Sequence, residues 1–152
     1  MTDAPISVID LVPQSGAGIE VVVPRAQLGP ALQQAFDRIY KPGALAPGHG
    51  HNFILYHEGT PSEIRMTVGV LDRTPGGGDP DVKAVHVPGG RTITAAHWGD
   101  YARMKTTYDA LHAEVQAKGL KLTPLSLEIY GDWSEDPTKV RTDIYLFLAV
   151  GI

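Results

Sequence analysis

The sequence predicts an α+β fold built from two related modules. The chain of 152 residues has the size of one domain, the order strand, helix, strand, strand occurs twice, and a Gly/Pro-rich linker separates the two occurrences. We expect a single domain over residues 1–152, with module one at about 17–72, the linker at 73–80 and module two at about 81–150. The modules are expected to be pseudo-symmetric, with antiparallel sheets, helices packed on one face and a cleft between them.

Module one begins with a strand at residues 18–24, which Pro24 ends. Pro42 and Gly43 stop the helix that follows, and residues 52–57 and 64–72 supply the next two strands. The helix is predicted from apolar residues at helical spacing, namely Leu28, Leu32, Ala35, Phe36, Ile39 and Tyr40.

Module two opens with an additional strand at residues 81–87 and then repeats the same order. Its strands are predicted at residues 91–98, 125–131 and 142–150. Its helix has Asp100 as the expected N-cap and Gly119 as the expected stop. The buried stripe of this helix consists of Tyr101, Met104, Tyr108, Leu111 and Val115.

The two halves align at a constant offset of 74 positions. This offset places Tyr56 on Tyr130, Ile54 on Glu128, and residues 68–71 on 142–145. Two units are too few for a solenoid, so a duplicated module with a pseudo-two-fold axis is the better interpretation.

Glu128 is a candidate functional residue because it lies in the middle of a predicted strand. Strand alternation puts its side chain on the same face as Ser126 and Tyr130. Covering a carboxylate without a partner costs free energy. Glu128 therefore faces solvent, pairs with a buried cation, or lies in a pocket whose ligand supplies the partner. A structural ion pair and a simple difference in exposure from Ile54 remain alternatives.

The composition excludes several classes of protein. A net charge of −4 without a basic run argues against direct binding of nucleic acid, and the absence of cysteine excludes disulfides and Cys-based zinc sites. The N-terminus does not resemble a signal peptide, and no segment has the roughly 18 apolar residues of a membrane span. We expect a cytoplasmic protein with no membrane partner.

A metal site is not expected from the histidines. His49 and His51 lie in a glycine-rich loop without a third ligand at fixed spacing, so a solvated loop is the better interpretation. No cofactor is expected either.

Three ordered segments of the second half resemble a known family. They are Val-Pro-Gly-Gly-Arg-Thr-Ile-Thr-Ala-Ala-His-Trp-Gly-Asp-Tyr at residues 87–101, Leu-Glu-Ile-Tyr at 127–130, and Asp-Pro followed by Val-Arg-Thr-Asp-Ile-Tyr within 136–145. With similar segments at 23–28 and 52–56, the chain resembles the GyrI-like small-molecule-binding family, the effector-binding domain of multidrug-responsive transcription regulators. The resemblance covers residues 17–149 and implies two modules with a ligand cleft between them.

The resemblance also implies which residues line that cleft. Glu128 is expected near its floor, with Tyr101 and Tyr145 as the best supported aromatic walls. Tyr56, Trp98 and Tyr130 are further candidates, and Trp98 is placed only from the end of its strand. Core packing with a satisfied hydroxyl is the alternative for each tyrosine.

Two other aromatic residues have open roles. His97 matches the histidine that precedes the helix in the family, where it either assists in the cleft or orients the corner between strand and helix. Trp133 follows a turn and either covers the mouth of the cleft or is a surface hydrophobe.

Three functions follow from this resemblance. The first is binding of hydrophobic, cationic or polar-aromatic small molecules by a sensor or sequestering protein. The alternative is a hydrolase of strained electrophiles of the cyclopropanoid type, with Glu128 as general base and a tyrosine such as Tyr145 polarising the electrophile. A protein partner is the third.

The start of the chain differs from many relatives, which place this domain behind a DNA-binding helix-turn-helix. Only a short strand-like lead at residues 5–12 precedes module one, so we expect a standalone domain without direct nucleic-acid contacts. The oligomeric state is not predicted.

Overall fold

The computed structural model describes residues 5–149. Its strands are β1 (Ser7–Leu11), β2 (Gln14–Pro24), β3 (Asn52–Tyr56), β4 (Glu63–Leu71), β5 (Lys83–Val87), β6 (Gly90–Trp98), β7 (Leu122–Tyr130) and β8 (Arg141–Leu148), and its helices are α1 (Leu28–Ile39) and α2 (Met104–Ala117). Single 3₁₀ turns precede both helices, at Arg25–Gln27 and Tyr101–Arg103, and a third precedes β8.

All eight strands form one antiparallel sheet, in the order β1-β6-β8-β7-β3-β4-β2-β5. The predicted α+β class is confirmed, and the sheets of the two modules are continuous because β3 pairs with β7 at the centre. The edge strands are exchanged between the modules: β1 precedes module one but pairs with β6 of module two, and β5 pairs with β2 of module one. Each module is therefore closed by a strand that the other one supplies.

The pseudo-two-fold axis passes through the central strand pair. Ile54 lies opposite Glu128, and Leu55 lies opposite Leu127, so exchanging β3 with β7 reproduces the same register. Tyr56 and Tyr130 are equivalent under this exchange, which agrees with the predicted offset of 74 for these strands.

The offset is larger for the remaining elements. Val68 lies opposite Ile54, and Ile144 lies opposite Glu128, so Val68 and Ile144 are equivalent although they are 76 positions apart. The helices also begin 76 positions apart, at Leu28 and Met104. The predicted alignment of Val68 with Thr142 is therefore wrong by two residues. A shift of two leaves every side chain on its original face, so the apolar pattern does not reveal it.

Both helices pack on the same face of the sheet, as predicted. α1 covers β2 and β4 with Ala35 and Ile39, and α2 covers β6 with Leu111 and Val115. Gly119 has a φ of 64° beyond the end of α2, a backbone conformation that suits glycine and ends the helix there. Because each helix covers the outer strands of its own module, the helix-side surface of β3 and β7 lies between the two helices.

Asp100 does not cap α2 as predicted. It precedes the 3₁₀ turn Tyr101–Arg103, and its side chain makes no capping hydrogen bond. Instead, its carbonyl oxygen accepts a hydrogen bond from His97 Nε2 at 2.8 Å. The extra 3₁₀ turn therefore moves the start of the α-helix away from the residue with the expected capping chemistry.

The opposite face of the sheet carries a second core without a helix among the described residues. Its buried members are Phe53, Leu55, Leu71, Val87, Leu127 and Phe147. The turn after β5 lies against the turn after β1, since a Cβ on Gly89 would be 2.5 Å from the carbonyl oxygen of Leu11. Because β1 and β2 lie near opposite ends of the strand order but are joined only by residues 12 and 13, the sheet is curved, and its concave face buries these side chains against one another.

The linker between the modules is attached to α1 rather than free. Arg38 donates to both carboxylate oxygens of Asp79, at 3.0 and 2.8 Å, and also to Asp81 at 2.8 Å.

Between residues 5 and 149, neither helix is long and apolar enough to cross a membrane.

Candidate ligand-binding site

Glu128 is a buried carboxylate at the centre of the sheet. Only 5% of its surface is exposed. Its strand neighbours are Ile54 on β3 and Ile144 on β8, which are themselves buried, and it points to the face that carries the helices. Its side chain therefore occupies the gap between α1 and α2, almost on the pseudo-two-fold axis.

Three tyrosine hydroxyls surround this carboxylate. Tyr130, two residues along the same strand, donates to Oε1, and Tyr108 of α2 donates to Oε2. Tyr56 of β3 also reaches Oε1, at 3.5 Å. Side chains from β3, β7 and α2 thus converge on one carboxylate, which joins the two modules at their shared centre.

Glu128 has hydrogen-bond donors but no cationic partner. None of the ion pairs found within residues 5–149 includes it. Removal from water raises the pKa of Glu128, and the three tyrosine hydrogen bonds oppose this effect without cancelling it. Of the three environments considered from the sequence, solvent exposure and a protein cation are therefore excluded for the described part of the chain.

The tyrosines remain donors at all physiological pH values. Burial raises the pKa of Tyr56, Tyr108 and Tyr130, and the neighbouring negative charge of Glu128 raises each of them further. Protonated hydroxyls at these three positions hold the carboxylate in a fixed orientation.

A cavity of about 540 Å³, here called chamber one, opens on one side of the central pair. It is formed by α1, the start of β3 and the end of β7, and most of its wall is apolar or aromatic: Leu32, Phe36, Tyr40, Ile54, Tyr101, Tyr130 and Trp133. Tyr101 meets the Tyr130 ring edge-to-face with centroids 5.5 Å apart, so it contacts the tyrosine that holds Glu128.

A second cavity of about 560 Å³, chamber two, opens on the other side. It contains the Glu128 side chain itself, together with Tyr56 and Tyr108. The rest of its wall is mixed: Arg25, His57, Glu58 and Ser126 are polar, and Leu28, Ile64 and Pro124 are apolar. Both volumes lie within the range typical of small-molecule sites.

Two residues predicted for the cleft lie on the other face of the sheet. Tyr145 is opposite Leu127, whose side chain alternates away from Glu128, and it packs into the concave core. Trp98 is 53% exposed and lies under the Arg141 guanidinium, 5.4 Å from its ring centroid. Side chains alternate between the two faces along a strand, and Tyr145 and Trp98 lie on the face opposite Glu128. The expectation that they share a site with Glu128 is therefore corrected.

His97 faces the helices but does not reach the carboxylate. Its Nδ1 is hydrogen-bonded to Thr107 of α2, and its Nε2 to the carbonyl of Asp100, each at 2.8 Å. Both ring nitrogens are thereby used to fix the corner between β6 and α2, which is the structural role considered from the sequence.

The histidine-rich loop contributes to the mouth of chamber one. His51 lies 3.3 Å from Asp132, across the ends of β3 and β7. Trp133, beside it, is 73% exposed and lines the same cavity. Residues 5–149 contain no group of three histidine or acidic side chains that could hold a metal ion.

The sequence-based prediction omitted several wall residues. Tyr108 was assigned only to the buried stripe of α2, and Leu32, Phe36 and Tyr40 only to that of α1. A tyrosine in the middle of a buried helical stripe is the signal that indicates Tyr108, because its hydroxyl needs a partner when it is buried.

These features define an α+β domain with two cavities beside a buried carboxylate. The family model for the GyrI-like small molecule binding domain matches residues 5–149. The chain belongs to the GyrI-like family. No curated protein sequence was found to match it.

Solved structures share the fold at low sequence identity. The crystal structure of the EcmrR C-terminal domain has a TM-score of 0.68 at 20% identity, covering 96% of this chain and 98% of that one. SAV2435 bound to tetraphenylphosphonium has a TM-score of 0.66 at 13% identity, covering 95% and 94%. A hydrolase encoded by lin2189 from Listeria innocua has a TM-score of 0.58 at 14% identity, covering 97% and 93%.

Proposed function

We propose that the cleft binds hydrophobic small molecules that carry a positive charge or a polar aromatic group, with Glu128 as the counter-charge. The observation that carries this proposal is a buried carboxylate with hydrogen-bond donors but no cation within the described chain. A protein with such a site acts as a sensor or sequesters its ligand.

The energetics favour an organic cation over a neutral molecule. The free-energy cost of burying Glu128 is already offset when the chain folds. A cation that enters the cleft therefore gains the Coulomb attraction of a poorly hydrated carboxylate. Contacts between a cation and the faces of Tyr101, Tyr130 or Trp133 add about 0.5–2 kcal/mol each. SAV2435, whose fold is similar to that of this chain, has been solved with tetraphenylphosphonium bound, and tetraphenylphosphonium is a lipophilic cation.

The test compares two ligands of similar shape on wild type and Glu128→Gln. Titration calorimetry with tetraphenylphosphonium should show a loss of about tenfold or more in the variant, because the charge pair is lost while the size of the side chain is kept. The neutral triphenylphosphine oxide should change by less than about twofold. Glu63→Gln, at an exposed position at the start of β4, is the matched control and should bind both as wild type does. Equal losses for both ligands would contradict the proposal.

The second candidate function is hydrolysis of a strained electrophile. It is favoured by the position of Glu128 on the wall of chamber two, next to the hydroxyls of Tyr56 and Tyr108. With an epoxide, Glu128 would take a proton from water as the water oxygen attacks carbon, and the carbon–oxygen bond would break as a tyrosine gives its proton to the leaving oxygen. The tyrosine role falls to Tyr56 or Tyr108, since Tyr145 lies on the opposite face of the sheet.

Hydrolysis is tested by incubating the protein with styrene oxide and measuring the diol. Turnover above buffer that is abolished in Glu128→Gln and reduced in Tyr108→Phe would support an enzyme. Diol formation that is unchanged in Glu128→Gln would exclude Glu128 as the base, and a wild-type rate no higher than that of buffer would leave binding alone.

A further inference from the structure

Chambers one and two are equivalent positions of the duplicated fold. Chamber one lies at the start of β3 and the end of β7, and chamber two lies at the end of β3 and the start of β7. Each is bordered by the 3₁₀ turn that precedes a helix: Tyr101 begins the turn at chamber one, and Arg25 begins the equivalent turn at chamber two. The same backbone frame therefore surrounds both cavities.

The side chains at equivalent places differ in chemistry. Tyr101 of chamber one corresponds to Arg25 of chamber two, and Trp133 corresponds to Gly59, since each lies three residues beyond the equivalent tyrosines. Chamber one has three exposed aromatic residues on its wall, Tyr40, Tyr101 and Trp133, whereas the wall of chamber two has none with comparable exposure within residues 5–149. One end of the cleft is thus suited to an apolar group and the other to a polar one.

Arg25 is the residue best placed to recognise a polar group. Its Nε and Nη2 atoms donate to the carbonyl oxygen of Thr60, at 3.3 and 2.9 Å, and these bonds orient the guanidinium at the wall of chamber two. Its Nη1 group is left for a ligand. His57 lines the same cavity, and burial lowers its pKa, so it presents a neutral ring there at physiological pH.

From this divergence we infer that the natural ligand is a two-ended molecule: an apolar or aromatic end in chamber one, a cationic centre at Glu128, and a tail with acceptor oxygens in chamber two at Arg25. The inference rests on the proposed function and adds the class of ligand. A compact, symmetric cation at Glu128 would use only part of the site, because Glu128 lines chamber two alone and chamber one, beyond Tyr130 and Ile54, has nearly the same volume, about 540 against 560 Å³.

The experiment uses two synthetic probes that differ only at the tail. Both are benzyldimethylammonium cations with a hexyl chain; one chain ends in a methyl group and the other in a carboxylate. Calorimetry on wild type should show the carboxylate probe binding about threefold to tenfold more tightly, a gain limited by the partial exposure of Arg25. In Arg25→Gln this difference between the two probes should disappear.

The matched variant at the other end is Tyr101→Gln. It should weaken both probes by the same factor, since both carry the benzyl group. Arg25 and Tyr101 are exposed, and thermal unfolding of each variant verifies that the fold is retained. An equal affinity of the two probes for wild type, or an equal loss of both in Arg25→Gln, would overturn the two-ended ligand.

Failure of the inference can be distinguished from failure of the proposed function. If the methyl probe binds and requires Glu128 but the carboxylate adds nothing, the cation site stands and the role of chamber two is rejected. If neither probe binds to wild type, both proposals are rejected.

Discussion

At the scale of a single residue, the site depends on a carboxylate that is stabilised by hydroxyls instead of by a cation. Tyr108 and Tyr130 satisfy one oxygen each, and Tyr56 approaches one of them at 3.5 Å. Hydroxyl donors lower the cost of burying the charge but do not neutralise it. No ion pair found within residues 5–149 neutralises this charge.

The raised pKa of Glu128 gives the stability of the protein a specific dependence on pH. Below the ordinary value of 4.5 the residue is protonated in both folded and unfolded chains. As the pH rises from there through the raised folded pKa, the unfolded chain ionises freely while the folded one does so at a cost, so wild type loses stability. Relative to wild type, Glu128→Gln should therefore gain free energy of unfolding as the pH rises above 4.5.

Urea denaturation over this pH range measures that difference. Because other carboxylates titrate in both proteins, only the difference between wild type and variant reports on Glu128. Glu63→Gln serves as the exposed control and should track wild type at every pH. A Glu128→Gln variant whose stability relative to wild type stays constant or falls as the pH rises would contradict the assignment of Glu128 as a destabilised charge.

The hydroxyl of Tyr108 should contribute more to the free energy of unfolding than the hydroxyl of Tyr145. Tyr108→Phe removes a donor to the buried charge of Glu128, and hydrogen bonds to charged groups contribute about 1.5–3 kcal/mol. Tyr145→Phe removes a hydroxyl on the opposite face, away from the carboxylate, and should cost less than about 0.5 kcal/mol. Urea denaturation at pH 7.5 compares the two, and an equal cost would show that Tyr108 does not act through Glu128.

The alternation of side chains along the strands decides which predicted site residues lie on the same face as Glu128. Residues two apart in a strand share a face, which predicts Tyr130 beside Glu128, and Tyr56 aligns with Tyr130; both tyrosines lie beside the carboxylate in the structure. Tyr145 follows from the family pattern and Trp98 only from the end of its strand, and in neither case does a register fix the face. Registers between distant strands depend on long-range pairing, which a single sequence does not reveal.

At the scale of the elements, the corner between β6 and α2 depends on His97. Thr107→Val removes the hydroxyl that His97 Nδ1 contacts but keeps the shape of the side chain. We expect a loss of about 1 kcal/mol in free energy of unfolding, the usual net value of one buried hydrogen bond. Affinity for tetraphenylphosphonium should not change, because neither residue lines chamber one or chamber two. Calorimetry that shows weaker binding in this variant would give the corner a role in the cleft.

The elements themselves were largely predictable, and their pairing was not. Alternation and helical spacing located both helices and the strands of each module, since those patterns are local. The short lead at residues 5–12 was interpreted only as strand-like, although β1 forms the edge of module two. Exchange of β1 and β5 depends on contacts between residues 65 to 87 positions apart, such as Gly18 with Lys83 and Ser7 with Thr94, and leaves no local signal.

At the scale of the whole molecule, the pseudo-two-fold axis explains why the centre of the sheet holds one buried carboxylate and not two. Residues on the axis meet their own equivalents, so Glu128 faces Ile54 instead of a second glutamate. Two carboxylates directly opposite each other would repel at close range. The duplicated scaffold can therefore hold a single buried charge at its centre, on β7 or on β3, and this chain has it on β7.

The symmetry predicts that the carboxylate can be moved across the axis if its donors move with it. In the double variant Ile54→Glu with Glu128→Ile, Tyr56 and Tyr130 exchange their roles, but Leu32 occupies the place equivalent to Tyr108. The relocated charge lacks one donor, so we expect a loss of about 1.5–3 kcal/mol in free energy of unfolding. Adding Leu32→Tyr should recover about 1 kcal/mol or more of this loss. Leu32→Tyr alone, with Glu128 in place, should stabilise nothing, because the tyrosine then faces Ile54. Urea denaturation measures the free energy of unfolding of wild type, Leu32→Tyr, the double variant and the triple variant. A triple variant no more stable than the double one would show that the two sides of the axis are not interchangeable.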